Sequence, residues 1–273
     1  MRNNWFLRYY NFVWKKGKSY KMYFNYVNIG YYIIISILGL FIGELVNWMN
    51  KRLPDEKSIF TKGAIKEYIK QFKPNYILMI LTALIYVALL YRFGINKTFV
   101  ENLDLIKYLI LTPMLISVFV IDYKLQIIPN RLNLTIFEVG LVFAFIYGLY
   151  DVAISINMVL GMLAGAGMFL ALTLLGGLIY GKEAMGLGDV KLMGALGLYF
   201  GLTNIIIITL LSFLIGAILS IVFLATKIRK MDQYIAFGPF IVIAAFIVIF
   251  VPYNTITMIL LNIFTLGLYS KNK

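Results

Sequence analysis

Apolar runs separated by short polar breaks govern what this chain can become. Stretches near residues 30–49, 75–93, 106–121, 134–150, 154–180, 205–226, 236–251 and 254–268 approach or reach the roughly 20 residues that cross a bilayer as a helix, and 190–201 adds a shorter one. The polar segments between them are too short to bury a core of their own. With 62% hydrophobic residues and a mean hydropathy of +0.87, the sequence predicts an all-α polytopic membrane protein with eight or nine apolar segments. The count depends on whether 190–201 crosses the membrane or re-enters.

Two residue types are missing, and their absence narrows the chemistry. The chain has no cysteine and no histidine. Disulfides, thiolate zinc sites and cysteine nucleophiles are excluded, and so are a Ser-His-Asp triad, a His-ligated metal and a His proton relay. Carboxylates, hydroxyls, Lys, Arg and the backbone remain. The net charge is +13. In a membrane chain this points to anionic lipid headgroups as partners and not to nucleic acid.

The basic residues cluster. Residues 1–29 carry Arg2, Arg8, Lys15, Lys16, Lys18 and Lys21 with no acid and many aromatics, and they lack the apolar core of a signal peptide. This reads as an arm lying on the membrane surface. Loop 51–74 holds seven Lys/Arg against three acids, which by the positive-inside rule makes it cytoplasmic. The arm lies one span away from that loop, so both cannot obey the rule. The loop is the better choice, because the later polar loops then fall on the same side. The expected division is an arm (1–29), a first span with its cytoplasmic loop (30–74) and a membrane-embedded body (75–270).

Carboxylates at the ends of apolar runs are the candidate functional groups. Asp189 lies in Gly186-Leu187-Gly188-Asp189-Val190-Lys191-Leu192, and Asp122 in Ile121-Asp122-Tyr123-Lys124. An even number of crossings separates them, which puts both at the cytoplasmic edge of the bilayer. An ionisable residue there is costly and marks a functional site by default. Two carboxylates held close cannot both ionise, so they share a proton. One can then take a proton from water while the other donates to a carbonyl oxygen. Gly186 and Gly188 would let a substrate backbone approach Asp189. Plainer readings exist for each residue. Asp122 can be a boundary acid beside Lys124, and Asp189 a loop ion pair with Lys191. Glu44 and Glu138 can be helix-packing residues, Glu44 with Asn47. Phe237-Gly238-Pro239 alone is a turn before a helix. A transporter or channel that uses intramembrane aspartates for a cation or a proton is the rival class.

Four motifs together carry a resemblance. Asp122 followed by Ile128-Pro129-Asn130-Arg131-Leu132-Asn133 is similar to the first aspartate motif of type IV prepilin peptidases. The Gly186–Leu192 run, with Gly194, Ala195, Leu196, Gly197 and Gly201 trailing, resembles their second motif, and Ala236-Phe237-Gly238-Pro239-Phe240 the segment after it. Gly43, Asn47, Arg52, Leu53 and Pro54 fit the end of the family's first span. The likeness covers roughly residues 36–250. Gly-x-Gly-Asp is shared with presenilin-like proteases, and another intramembrane aspartic protease, presenilin-like or of archaeal preflagellin type, is the second rival; the Ile-Pro-Asn-Arg-Leu-Asn run and Arg52-Leu53-Pro54 argue against it.

The resemblance implies an aspartic endopeptidase of the bacterial cytoplasmic membrane with Asp122 and Asp189 as its catalytic pair. Its partners would be prepilin or pseudopilin precursors, each losing a short basic leader at the cytoplasmic face. Gly186, Gly188, Lys191 and Glu44 are the candidate substrate-binding residues, with Glu44 available to basic leader groups. The substrate's apolar helix is expected to enter along the glycine-rich span 154–180. The peptidase reaction needs no cofactor. Many relatives also methylate the new amino terminus with S-adenosylmethionine, using a long loop after the first span that often holds zinc on two Cys-x-x-Cys pairs. Here loop 51–74 is short and cysteine-free, so zinc on those ligands is excluded, 30–74 reads as a degenerate form of that region, and methylation stays open. Glu44 stands where the family commonly has a small residue, and Asn130 replaces the commoner Asp.

Overall fold

The computed structural model describes residues 23–25, 27–55, 63, 66–68, 73–96, 98–180, 185–226 and 236–265. Most of the basic arm, much of loop 51–74 and the basic residues Lys227, Arg229 and Lys230 lie outside them. Among the described residues there are eight helices: α1 (Ile29–Arg52), α2 (Tyr76–Phe93), α3 (Phe99–Leu125), α4 (Asn130–Gly148), α5 (Val152–Tyr180), α6 (Leu187–Ala225), α7 (Gly238–Phe250) and α8 (Tyr253–Phe264). Six of them are long and apolar enough to cross a membrane, and α7 and α8 are shorter apolar helices. The all-α polytopic membrane architecture is therefore as the sequence predicts.

Helices are the economical solution here because lipid offers no hydrogen-bond partners to an open backbone. Buried hydroxyls follow the same constraint. Thr82, Thr112, Thr173, Thr209 and Ser212 each donate to the carbonyl four residues back, at 2.7–2.9 Å. Large apolar side chains such as Ile77 and Leu178, 79% and 83% exposed, point outward, as a lipid-facing surface requires.

By packing, the chain forms two compact units, one comprising residues 1–49 and 62–113 and the other 50–61 and 114–273. In the first unit, α1 and α2 touch through glycine. A Cβ at Gly39 would lie 2.5 Å from the Cα of Ala83, and one at Gly43 2.5 Å from the Cα of Met79. The end of the predicted surface arm forms a two-residue hairpin, β1 (Tyr23–Phe24) with β2 (Val27–Asn28). Asn25 Nδ2 ties it to the carbonyl of Tyr91 at 2.7 Å.

The second unit is built on α5 and α6. A Cβ at Gly161 would meet the carbonyl oxygen of Gly197 at 2.6 Å and the carbonyl carbon of Gly201 at 2.6 Å; one at Gly197 would run into the Gly161 carbonyl. Gly165 faces both the Met193 carbonyl and Ile205. Met193 and Ile205 would be about 18 Å apart along a straight helix, so α6 must fold back between them. It does so at Gly201, whose φ of 71° and ψ of 177° lie outside the helical region. Only glycine adopts such a backbone readily. Asn157 on α5 caps the break, its Oδ1 accepting from Leu202 N at 3.2 Å.

Leu187–Phe200 therefore runs antiparallel to α5, and Leu202–Ala225 returns alongside it, with the Phe169 and Phe213 rings 5.8 Å apart in a tilted contact. This answers the open question about 190–201: it is a short helix ending in a reversal, and the eight helices hold nine apolar segments. Other boundaries shift. The third span begins at Phe99, not near 106, and runs past Asp122 to Leu125, so the connection to α4 is only 126–129.

Because Gly197 presses on backbone and Gly167 has nothing within 4 Å, equal substitutions should diverge. Gly197→Val is expected to cost about 1–3 kcal/mol or more by overpacking, whereas Gly167→Ala should gain about 0.5–1 kcal/mol from reduced chain entropy. Thermal unfolding of the purified protein in detergent reads both.

Candidate active site

Three helix ends of the second unit meet at one place. Asp122 is in the last turn of α3, Asp189 in the first turn of α6, and Gly238 opens α7. Both carboxylates lie within the terminal turn of a helix, where the sequence suggests loop edges. The α3 end is sharp. Gln126, at φ 56°, leaves the helix in the left-handed region, with its N–H on the carbonyl of Asp122 at 2.8 Å, and Pro129 then starts α4.

The carboxylates are nearly sealed, Asp122 at 4% and Asp189 at 5% exposure, and they lie within electrostatic reach of each other. Asp122 Oδ2 accepts from the backbone N–H of Gly238 at 2.9 Å. That N–H is one of the four that a helix leaves unpaired at its start, where the dipole also favours an anion. A Cβ at position 238 would come within 2.6 Å of the same oxygen, so only glycine permits the contact. Asp189 benefits from its own helix start, and its N–H donates to Gly186 O at 3.0 Å. Its Oδ1 is buried without a hydrogen-bond partner, an acceptor available to a proton or a reacting group.

Aromatic packing fixes the α7 start. Phe237 lies 5.0 Å from Phe213, 5.9 Å from Phe169 and 5.7 Å from Phe240, ring centre to ring centre. Each is an edge or tilted contact of the favoured kind. Gly216 leaves room for the Phe240 ring, 3.0 Å from where its Cβ would be.

The remaining sequence candidates fall into place less uniformly. Gly188 has its carbonyl held by Asn133 Nδ2 at 3.0 Å, and Ile128 lies 3.3 Å from where its Cβ would be. The room that the missing side chain leaves is filled by the first motif's own loop. Lys191 does not follow the ion-pair reading, because its Nζ donates to Asn130 Oδ1 at 2.8 Å. Glu44 belongs to the first unit and is buried. Its Oε1 accepts from Asn47 at 3.0 Å and its Oε2 from Asn75 N at 3.1 Å. Tyr68 hydrogen-bonds the same carboxylate, and burial together with Glu44 pushes its phenol above the usual range. Glu138 is exposed on α4.

Sequence reasoning did not single out Asn133, Asn130 or Gly238 for these contacts. A signal was available for the first two: residues three apart share a helix face, so Asn130 and Asn133 both look toward the second motif. Among the described residues no group of three His, Cys, Asp or Glu could hold a metal ion.

Residues 109–221 match the family model described as the type IV leader peptidase family, a span that includes both aspartates. The chain is 31% identical over 209 residues to a prepilin leader peptidase/N-methyltransferase of Xanthomonas campestris pv. campestris, covering 76% of this chain and 69% of that one. Proteins with the same description from Aeromonas hydrophila (32% over 168 residues, 62% of this chain) and Legionella pneumophila (36% over 140 residues, 50% of this chain) also match. The chain spans about half the length of these two, 55% and 47%. No solved structure matches it.

Removing the Glu44 carboxylate leaves buried donors unsatisfied. Glu44→Ala is expected to destabilise by about 1–3 kcal/mol, read as a lowered thermal midpoint in detergent.

Proposed function

Because this chain belongs to the type IV leader peptidase family, we propose that it is an aspartic endopeptidase that removes the basic leader of prepilin-like or pseudopilin precursors at the cytoplasmic face of a bacterial cytoplasmic membrane. The observation that carries this reading is the convergence of Asp122 and Asp189, two buried carboxylates in electrostatic reach, on one site.

The chemistry follows from that pair. Sharing one proton, the two acids hold complementary roles. The ionised carboxylate takes a proton from water as its oxygen adds to the scissile carbonyl, and the protonated carboxylate donates to the carbonyl oxygen. Collapse of the resulting diol breaks the C–N bond: the departing nitrogen receives the proton taken from water, and one diol hydroxyl returns a proton to the other carboxylate as the new carbonyl forms. Either aspartate can play either part. Gly238 acts as a positioning residue: its N–H holds Asp122 Oδ2 in place and leaves the other oxygen, Oδ1, for the reaction.

S-adenosylmethionine enters only through the descriptions of the relatives. Loop 51–74, the region that the resemblance ties to methylation, supplies no cysteine for the zinc of such relatives and lies partly outside the described residues.

Co-expression with a tagged prepilin-like precursor, read by gel shift and mass, tests the proposal. Wild type should yield a shortened product. Asp122→Asn and Asp189→Asn should each lower the rate by about 10²–10⁴-fold, the range for losing a general acid or base. Survival of cleavage in either variant overturns the paired mechanism. If wild type cleaves no precursor, the ion-transport reading moves forward. Gly238→Ala should reduce kcat by about 10²-fold, as expected when a catalytic group is displaced by about 1 Å, with KM little changed.

A further inference from the structure

A groove of about 650 Å³ runs between α4, α5 and the first half of α6, a volume in the range of ligand sites. It is not used by the chemistry described above, yet it starts beside it: Val190 and Lys191, which line it, follow Asp189 directly. Its walls are Leu134 on α4 and Leu163 on α5, both largely exposed. Ala166, Gly194 and Ala195 also line it, and small residues allow a second helix to bring its backbone close. Its lining is otherwise polar near the start of α4, with Asn130, Arg131 and Asn133.

We propose that this groove seats the apolar stretch of the substrate that follows the scissile bond, laid as a helix between α4 and α5. The inference rests on the peptidase reading. Three observations select this occupant. A chain leaving Asp189 meets the groove at once. Arg131 and Lys191 at its polar end repel a basic leader, so the leader lies elsewhere and the apolar stretch lies here. Asn133 Oδ1, 3% exposed as a residue and without a partner, is an acceptor in need of a donor. A helix start carries four unpaired N–H groups, whereas a lipid acyl chain has none.

The absence of native cysteine makes the test direct. Leu134→Cys or Leu163→Cys is placed in the Asp189→Asn background, which should hold substrate uncleaved, and is paired with precursors carrying one cysteine at successive positions. Disulfide cross-links are expected with positions after the scissile bond, repeating every three to four residues as one helix face, and not with leader positions. Leu172→Cys, on the opposite side of α5, should give no such pattern. Leu163→Trp, which narrows the groove, should raise KM about tenfold by excluding one apolar side chain. Cross-links to the leader overturn the inference. So does a groove that yields none while wild type cleaves the same precursors, the result expected if lipid alone fills it; in both cases the peptidase reading stands. Failure of wild type to cleave removes the peptidase reading and this inference together.

Discussion

The contact of α5 with the first half of α6, backbone on backbone at Gly161 and Gly197, is the constraint on which the second unit depends. No side chain lies between the two helices there, so their separation is set by main-chain atoms and has little freedom to relax. The reversal at Gly201 follows from the same crowding, since the returning half of α6 must also pass Gly165 and Asn157. Once these are fixed, the start of α6 and its carboxylate have one position. The returning half then carries Phe213 and Gly216 to Phe237 and Phe240, which places the start of α7 under Asp122.

The candidate site is thus an assembly of helix ends. In lipid, an ionisable group needs a partner that is itself fixed, and the N-termini of α6 and α7 supply fixed partial positive charge without adding a cation. A Lys or Arg in the same place would neutralise the acids outright and remove the shared proton from the chemistry proposed for them. The structure directs Lys191 away, onto Asn130, and leaves Asp122 to a backbone N–H.

Much of this was legible in the sequence, for physical reasons that can be named. Apolar runs near membrane length report helices because the bilayer leaves few alternatives, and Asp122 and Asp189 stand out because charge is rare there. The end of the third span is less legible: the sequence puts it at Ile121, before the first carboxylate, but the helix carries Asp122, Tyr123, Lys124 and Leu125 as its final turn. The break at Gly201 was visible as a short apolar piece, but its direction was not, since reversal depends on Gly161, Gly165 and Asn157 of another helix. Glu44 shows a different gap. Asn47, one helical turn away, is the donor its own helix suggests, whereas Tyr68 and Asn75 N come from within and just after loop 51–74, and no local pattern announces them. Gly238 read as a turn glycine because its partner lies 116 residues away.

The first half of α6 has a consequence for the surrounding lipid. Leu187–Phe200 is about 14 residues, or about 21 Å at 1.5 Å per residue. With α7 at 13 and α8 at 12 residues, the second unit contains three segments well short of the roughly 30 Å of an average hydrocarbon core. A bilayer meets such mismatch by thinning around the protein. Headgroups and water are then drawn toward the end of α6 that carries Asp189. Its carboxylate, sealed by protein, then has a polar boundary near the helix end that carries it. Lipid thickness thereby becomes a determinant of this site as much as any side chain in it.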